Sequence, residues 1–436
     1  MSSNTCDTAP PVVAGKKIIV VGAGIAGLSF ALALRKQWPT STKHEPPSVT
    51  IYERDTEETS IGREGYSLSI RSDGLSGGMQ ALHRLNLLER MLRASISVAG
   101  NGSFNLWNTA WRSILSVRIS RGDSGLSSDK ELPADGMRIA RDVLRRIMVD
   151  AVYEQKDTTM HWERPCTRVE PLPDGKIRVH LGDGTTDECD ILIAADGASS
   201  KIRTQLRPAD GLSFTGAVCI SATSRFDSHE AVPRPVDRDW GAVLGGGGVG
   251  LFVSPVDSRS ALWSVSYLTD QPRERMRYPL SEEQVQSLLT EALERGSQFS
   301  EPFQTLVRAT DPTTLMLFNA MDKQPFKHER AVSATSASPG SPPIIFIGDS
   351  NHAMSPFAGN GANMALLDGW ELAEQLCRPG PLDAALRAYD AKSVPRSKAA
   401  IRSSRWTISM LHATGWKLFL YTLLFRVVMA FMRWRR

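Results

Sequence analysis

Cysteine is scarce in this 436-residue chain: Cys6, Cys166, Cys189, Cys219 and Cys377 are scattered, with no CxxC pair and no metal-ligand spacing. That excludes a disulfide framework and a zinc cage, no metal site is expected, and the cysteines read as reduced thiols in a reducing compartment. An excess of one charge is also missing. Lys and Arg number 51 against 47 Asp and Glu, interspersed along the chain, so composition offers no support for a nucleic-acid groove. Residues 1–14 hold neither a basic stretch nor an apolar run, which argues against a secretory signal and makes a cytoplasmic location the expectation. HExxH, P-loop and GxSxG patterns are absent, and with them the zinc-protease, nucleotide-hydrolase and serine-hydrolase chemistries those motifs serve.

What is present suits a folded enzyme. Hydrophobic residues make up 41% and charged residues 22%, and the length exceeds one average domain but falls short of three. Residues 16–37, KKIIVVGAGIAGLSFALALRKQ, read as a β-branched strand, a glycine turn and an Ala/Leu helix; SVTIYERD at 48–55 is the parallel strand that follows. Gly22, Gly24 and Gly27 provide a tight turn, backbone approach to a pyrophosphate and close helix packing, and Glu53 ends the second strand where a ribose hydroxyl would lie. The fingerprint marks a dinucleotide site without separating FAD from NAD.

Further along, 81–94 and 137–155 carry a helical period, 166–195 is a meander broken by Asp-Gly turns, and 211–270 holds several short strands around Gly245 to Gly248. A helix is expected over 281–296 with Ser281 as its cap. PIIFIGDS at 343–350 is a buried strand ending in a polar turn, followed by a helix from about 361 to 377. In the second sheet, Phe252, Trp263 and Tyr267 are candidates to line a substrate cavity or to fill the core of an amphipathic strand.

Three segments carry a family resemblance. PPIIFIGDSNHAMSPFAGNGANMALLDGWEL contains a GD, a following His352 and Pro, and GxNxxxxD; DILIAADGASSKIR contains a DG with Arg203 nearby; MRIARDVLRRIM contains RxxL. Their order, GxGxxG then RxxL then DG then GD, resembles that of the PHBH-fold (group A) FAD-dependent monooxygenases. REGYSLSIRSDG, with Gly65, and HAMSPFAGNGAN are closest to the TetX-like, fungal secondary-metabolism branch. The resemblance implies that Asp349 contacts the ribityl chain, Gly361, Ala362 and Asn363 lie at the isoalloxazine, Arg141 is an FAD ligand, and Asp196 and Gly197 sit between the FAD pyrophosphate and the passing nicotinamide nucleotide. Arg63 stands one residue out of register with the branch's NADPH arginine, and Ser69 replaces an Asp. No WxWxIP segment points to a flavin halogenase, and no second dinucleotide domain for NAD(P)H follows.

The expected architecture is α/β: a discontinuous Rossmann-like FAD domain (15–99, 136–205 and 335–395), an antiparallel-sheet substrate domain (100–135 and 206–334) and a C-terminal helix (396–436). The expected activity is hydroxylation or epoxidation of a hydrophobic, aromatic or polycyclic small molecule by a monomer using O2 and NAD(P)H, NADPH in preference, through a C4a-hydroperoxyflavin. The alternatives are a PHBH-fold dehydrogenase or reductase without oxygen insertion and a non-catalytic flavin-binding protein. The end, WKLFLYTLLFRVVMAFMRWRR, is too short and too interrupted by Arg426 to span a bilayer. It reads either as a helix docked across both domains or as a peripheral anchor on an intracellular membrane.

Overall fold

The structure is a computed structural model, and it describes residues 10–39, 43–62, 65–73, 76–96, 102–118, 132–328 and 343–434. Strand β1 (Lys17–Val21) runs into α1 (Ile25–Gln37) and returns as β2 (Ser48–Tyr52). After α2 (Glu57–Gly62), β3 (Ser67–Arg71), α3 (Gly78–Arg84) and α4 (Leu88–Arg93), the chain forms a hairpin, β4 (Ser103–Asn108) and β5 (Ser113–Arg118). It comes back as β6 (Gly136–Ala140), which opens directly into α5 (Arg141–Tyr153), followed by β7 (Thr158–His161). The meander β8 (Cys166–Pro171), β9 (Ile177–Leu181) and β10 (Thr186–Cys189) precedes β11 (Ile191–Ala194) and α6 (Lys201–Leu206).

Four strands come next: β12 (Ser213–Arg225), β13 (Trp240–Leu244), β14 (Val249–Asp257) and β15 (Ser260–Leu268). Helices α7 (Glu282–Arg295) and α8 (Phe303–Arg308) lead to β16 (Met316–Asp322). The chain closes with β17 (Ile344–Phe346), α9 (Asp349–His352), α10 (Gly361–Leu376), α11 (Leu382–Leu411) and α12 (Gly415–Trp434).

The first sheet is parallel, in the order β17-β11-β1-β2-β7. β1 sits at its centre, where Ile18, Ile19 and Val20 are buried, as a parallel strand covered on both faces requires. Helix α1 lies against α10 so closely that a side chain at Gly369 would collide with the backbone of Phe30, and Ser29 Oγ donates to Leu366 O at 2.8 Å. The second sheet has seven strands in the order β16-β12-β15-β14-β13-β4-β5, antiparallel except where β13 meets β4. One of its faces is covered by α7 and α8. The capping box on α7 pairs Ser281 with Gln284, as the sequence indicates.

Three elements differ from the sequence reading. The single helix expected over 81–94 is two, because Asn86 takes a positive φ of 60°. The break lets Leu85, Leu87, Leu88 and Met91 all reach the core, which one continuous helix face would not allow. The helix expected from 137 starts at Arg141, because Gly136–Ala140 pairs antiparallel with β3 and is buried throughout. The tail expected from 396 is two helices. The first begins at Leu382 and runs through Pro395, whose missing N–H is tolerated because packing on both sides holds the helix.

Candidate functional site

The turn between β1 and α1 separates two kinds of glycine. Side chains at Gly22 and Gly27 would collide with Ala195 O and Gly22 O respectively, whereas nothing among the described residues lies within 4 Å of where a Gly24 Cβ would sit. Gly24 is also the N-cap of α1 and has no side-chain cap, so the helix end with its partial positive charge faces open space. Glu53, at the end of β2, accepts from Ala23 N–H and Arg54 N–H, each at 2.8 Å. Arg145, one turn after Arg141, approaches the Glu53 carboxylate at 3.5 Å and donates to Ala23 O at 2.9 Å through Nε. Sequence reasoning missed Arg145 because a basic helix face shows no sign of which arginine turns inward.

On the other side of α1, the GD segment is organised by a carboxylate deep in α10. Asp368 is buried; it accepts from Gly348 N–H at 2.9 Å, Ser393 Oγ at 3.0 Å and Arg396 Nη2 at 3.0 Å, and it pairs with His352 Nε2. Burial acts against its charge, but His352 and Arg396 outweigh it and hold the carboxyl below the ordinary range. Asp349 lies at the start of α9, where burial raises its pKa against the opposing charges of His352 and Arg141. Arg141 stacks over Tyr66 at 5.9 Å. Helix α10 begins at Gly361 with no side-chain cap and with nothing among the described residues within 4 Å of a Cβ there. Ala362 is half-buried beside it. The Asn363 amide holds β3: Oδ1 accepts from Arg71 N–H at 2.9 Å and Nδ2 donates to Ser69 O at 2.8 Å.

The DG segment closes the floor. Asp196 is raised by burial, and among the described residues its buried Oδ1 has no hydrogen-bond partner and no atom lies within 4 Å of a Cβ at Gly197. Arg203 ties this loop to the GD loop by donating to Ser350 O at 2.8 Å and to Ala198 O. Two uncapped helix ends, open glycines and an unpartnered carboxylate oxygen suit an elongated dinucleotide with a central pyrophosphate. Arg63 lies outside the described residues. The Gly65 carbonyl accepts from Thr223 of β12 and so links β3 to the seven-stranded sheet.

Sheet alternation decides which side chains face this region. In the register Phe252↔Ser264 and Val253↔Trp263, Trp263 and Tyr267 point to the α7 and α8 side. There Trp263 stacks edge-on against Phe303 and Tyr267 donates to Glu291 Oε1 at 2.8 Å, so neither lines the cavity; the core alternative holds for both. Phe252 is on the opposite face, with Ser254, Ser264 and Ser266. On that face His412 contacts Ile408 O through Nδ1 at 2.7 Å and Ser266 Oγ through Nε2 at 3.0 Å. A carbonyl only accepts, so Nδ1 carries the proton; burial lowers the pKa and keeps the ring neutral. Phe357, in the turn before α10, lies 5.8 Å from that ring.

Arg138 of β6 is the least expected residue. It is buried, stacks over Trp240 at 5.7 Å, donates to Ser69 Oγ at 2.7 Å and contacts the Ser67 and Ser254 hydroxyls. No carboxylate among the described residues pairs with it, and its Nε is unpartnered. Burial, helped by the charge of Arg71, pushes its pKa down to about 9.

The profile of the FAD binding domain family matches residues 16–404. The monooxygenase cfoF of Aspergillus candidus is 38% identical over 407 residues, covering 92% of each chain. The FAD-dependent monooxygenase aptC of Emericella nidulans is 26% identical, covering 91% of this chain and 95% of the other. Among solved structures, Klebsiella pneumoniae HpxO complexed with FAD and uric acid superposes with a TM-score of 0.72 at 21% identity, over 94% of this chain and 92% of that one. Tetracycline destructase Tet(55) gives 0.66 at 16% identity, over 96% and 97%.

Proposed function

The chain belongs to the FAD binding domain family, and on that premise we propose that it is an FAD-dependent monooxygenase that uses NAD(P)H, NADPH in preference, and O2 to oxygenate a hydrophobic aromatic or polycyclic small molecule. The observation that carries the reading is the position of β3 and β6 between the uncapped start of α10 and the seven-stranded sheet, with Asn363 on one side and Arg138 on the other. The α1 N-terminus, Glu53, Asp349 and the α10 N-terminus would hold FAD, which supplies oxygen activation when bound. The protein's part is to orient the substrate and exclude water.

Arg138 narrows the substrate chemistry. A buried guanidinium surrounded by hydroxyls and an indole face, with no described counter-ion, suits an aromatic molecule carrying an ionisable oxygen such as a phenol or enol. The holoprotein tests both parts. NADPH should bleach the flavin absorbance, and label from ¹⁸O₂ should enter the product extracted from cells that contain the protein; bleaching without label would replace oxygenation by simple reduction. Naphthols should perturb the flavin spectrum at lower concentration than their methyl ethers. Arg138→Gln should remove that difference, a loss of about tenfold or more for a charge-assisted hydrogen bond. Equal binding of naphthols and ethers to the native protein would sink the role given to Arg138.

A further inference from the structure

Helix α12 presents an apolar face to solvent. Trp416 and Phe419 are 69% and 66% exposed, and Leu420, Leu423, Leu424 and Val427 continue the row. Their spacing of three and four residues puts them on one side of the helix, and at 100° per residue Lys417 and Arg426 fall at the two margins of the stripe. The opposite side is already occupied: Leu418, Tyr421 and Phe425 pack with Leu106, Ala242 and Leu244 of the seven-stranded sheet. The outward direction is therefore fixed by the fold, and the helix is docked with its second apolar face uncovered. An exposed contiguous apolar surface of this kind costs solubility and marks an interaction site.

Charge identifies the occupant. From Ala391 to Arg436 the sequence contains ten Lys or Arg and no Asp or Glu, so with a total of +4 the preceding residues sum to −6. Arg396 and Arg405 are consumed by ion pairs with Asp368 and Asp322, but Lys417 and Arg426 are exposed, and the sequence ends in three further arginines. Trp416 and Trp434 stand at the two ends of the helix, the position aromatic residues take at a membrane–water boundary. The stripe from Trp416 to Val427 is about 17 Å long at 1.5 Å per residue, against roughly 30 Å of bilayer core. No helix among the described residues is long and apolar enough to cross a membrane.

We propose that α12 lies in the plane of an anionic lipid surface, with its apolar stripe in the headgroup boundary and its basic margins on the phosphates. The attachment does not depend on the activity proposed for the flavin site.

Vesicle co-sedimentation of the full-length holoprotein tests this, using phosphatidylcholine vesicles with and without phosphatidylserine. The protein should sediment with the phosphatidylserine vesicles and be released by salt. Phe419→Glu with Leu423→Glu should weaken binding by about tenfold or more while leaving the flavin spectrum unchanged. Protein that stays in the supernatant with both vesicle types would overturn the proposal. So would a concentration-dependent doubling of mass in lipid-free buffer that the double variant abolishes, since the occupant would then be a second copy of this chain.

Discussion

Gly24 and Gly27 stand three residues apart and answer to different demands. At Gly27 a methyl group would strike the carbonyl of Gly22, so Gly27→Ala has to push α1 away from β1 and should lower the thermal midpoint of the apoprotein. At Gly24 nothing among the described residues stands in the way. Gly24→Ala should therefore leave the apoprotein stability within about 0.5 kcal/mol of native while reducing the flavin retained on purification. Equal loss of stability in both variants would remove the distinction. Such glycines are legible in a sequence because their function is the absence of a side chain between a strand and a helix. Arg145 and Arg138 are not legible, because a buried arginine and a solvated one are spelled alike. Arg145 lies one helical turn beyond Arg141, and only the packing of α5 shows that it reaches Ala23 O.

Helices α10 and α11 are joined through Asp368, and the joint depends on pH in a definite way. His352 binds its proton more tightly in the folded chain than in the unfolded one, because the attraction of Asp368 overcomes the burial penalty. Its stabilisation is thus complete below the ordinary histidine value of about 6.5 and is lost as pH rises through the raised folded value. Asp368 is shifted the opposite way, so its share is complete above the ordinary carboxylate value of about 3.9 and is lost as pH falls through the lowered one. Asp368→Asn should cost on the order of 3 kcal/mol near neutrality, by removing the counter-ion of His352 and leaving Arg396 with Glu371 alone, and should flatten the alkaline limb of stability; urea midpoints taken from mildly acid to alkaline pH would show both. Elements whose pattern repeats over many residues were readable in advance, including the parallel βαβ start and the capped helix α7. Strands in the second sheet were readable as strands, but not which face was which. Trp263 and Phe252 look equally suited to a cavity until the pairing with β15 and β14 assigns them to opposite sides.

Helix α11 straps the two sheets together, beyond the contacts of Gly65, β3 and β6 with Thr223 and Ser254. Arg396 reaches Asp368 in the nucleotide-binding half, and nine residues on, Arg405 forms a two-pronged pair with the buried Asp322 at the end of β16, both contacts at 2.7 Å. Arg405→Leu should leave that carboxylate without a partner and cost on the order of 3 kcal/mol. Adding Asp322→Asn should recover part of the loss, which guanidinium denaturation of the single and double variants would measure. Failure of the second change to rescue the first would place the damage in packing and not in the charge. This strap was hidden in the sequence because Pro395 interrupts its helical pattern and because its acidic partners Glu371, Asp368 and Asp322 lie 25, 28 and 83 residues away. The strand order has a further consequence, for biosynthesis. β1 leaves the ribosome first but is flanked on one side by β11, and the cover over α1 comes only with α10. The strand can be flanked on both sides once β11 is made, but its apolar helix α1 waits for its cover until α10, which begins at Gly361. Apolar surface left uncovered through so much of synthesis is the kind that chaperones engage.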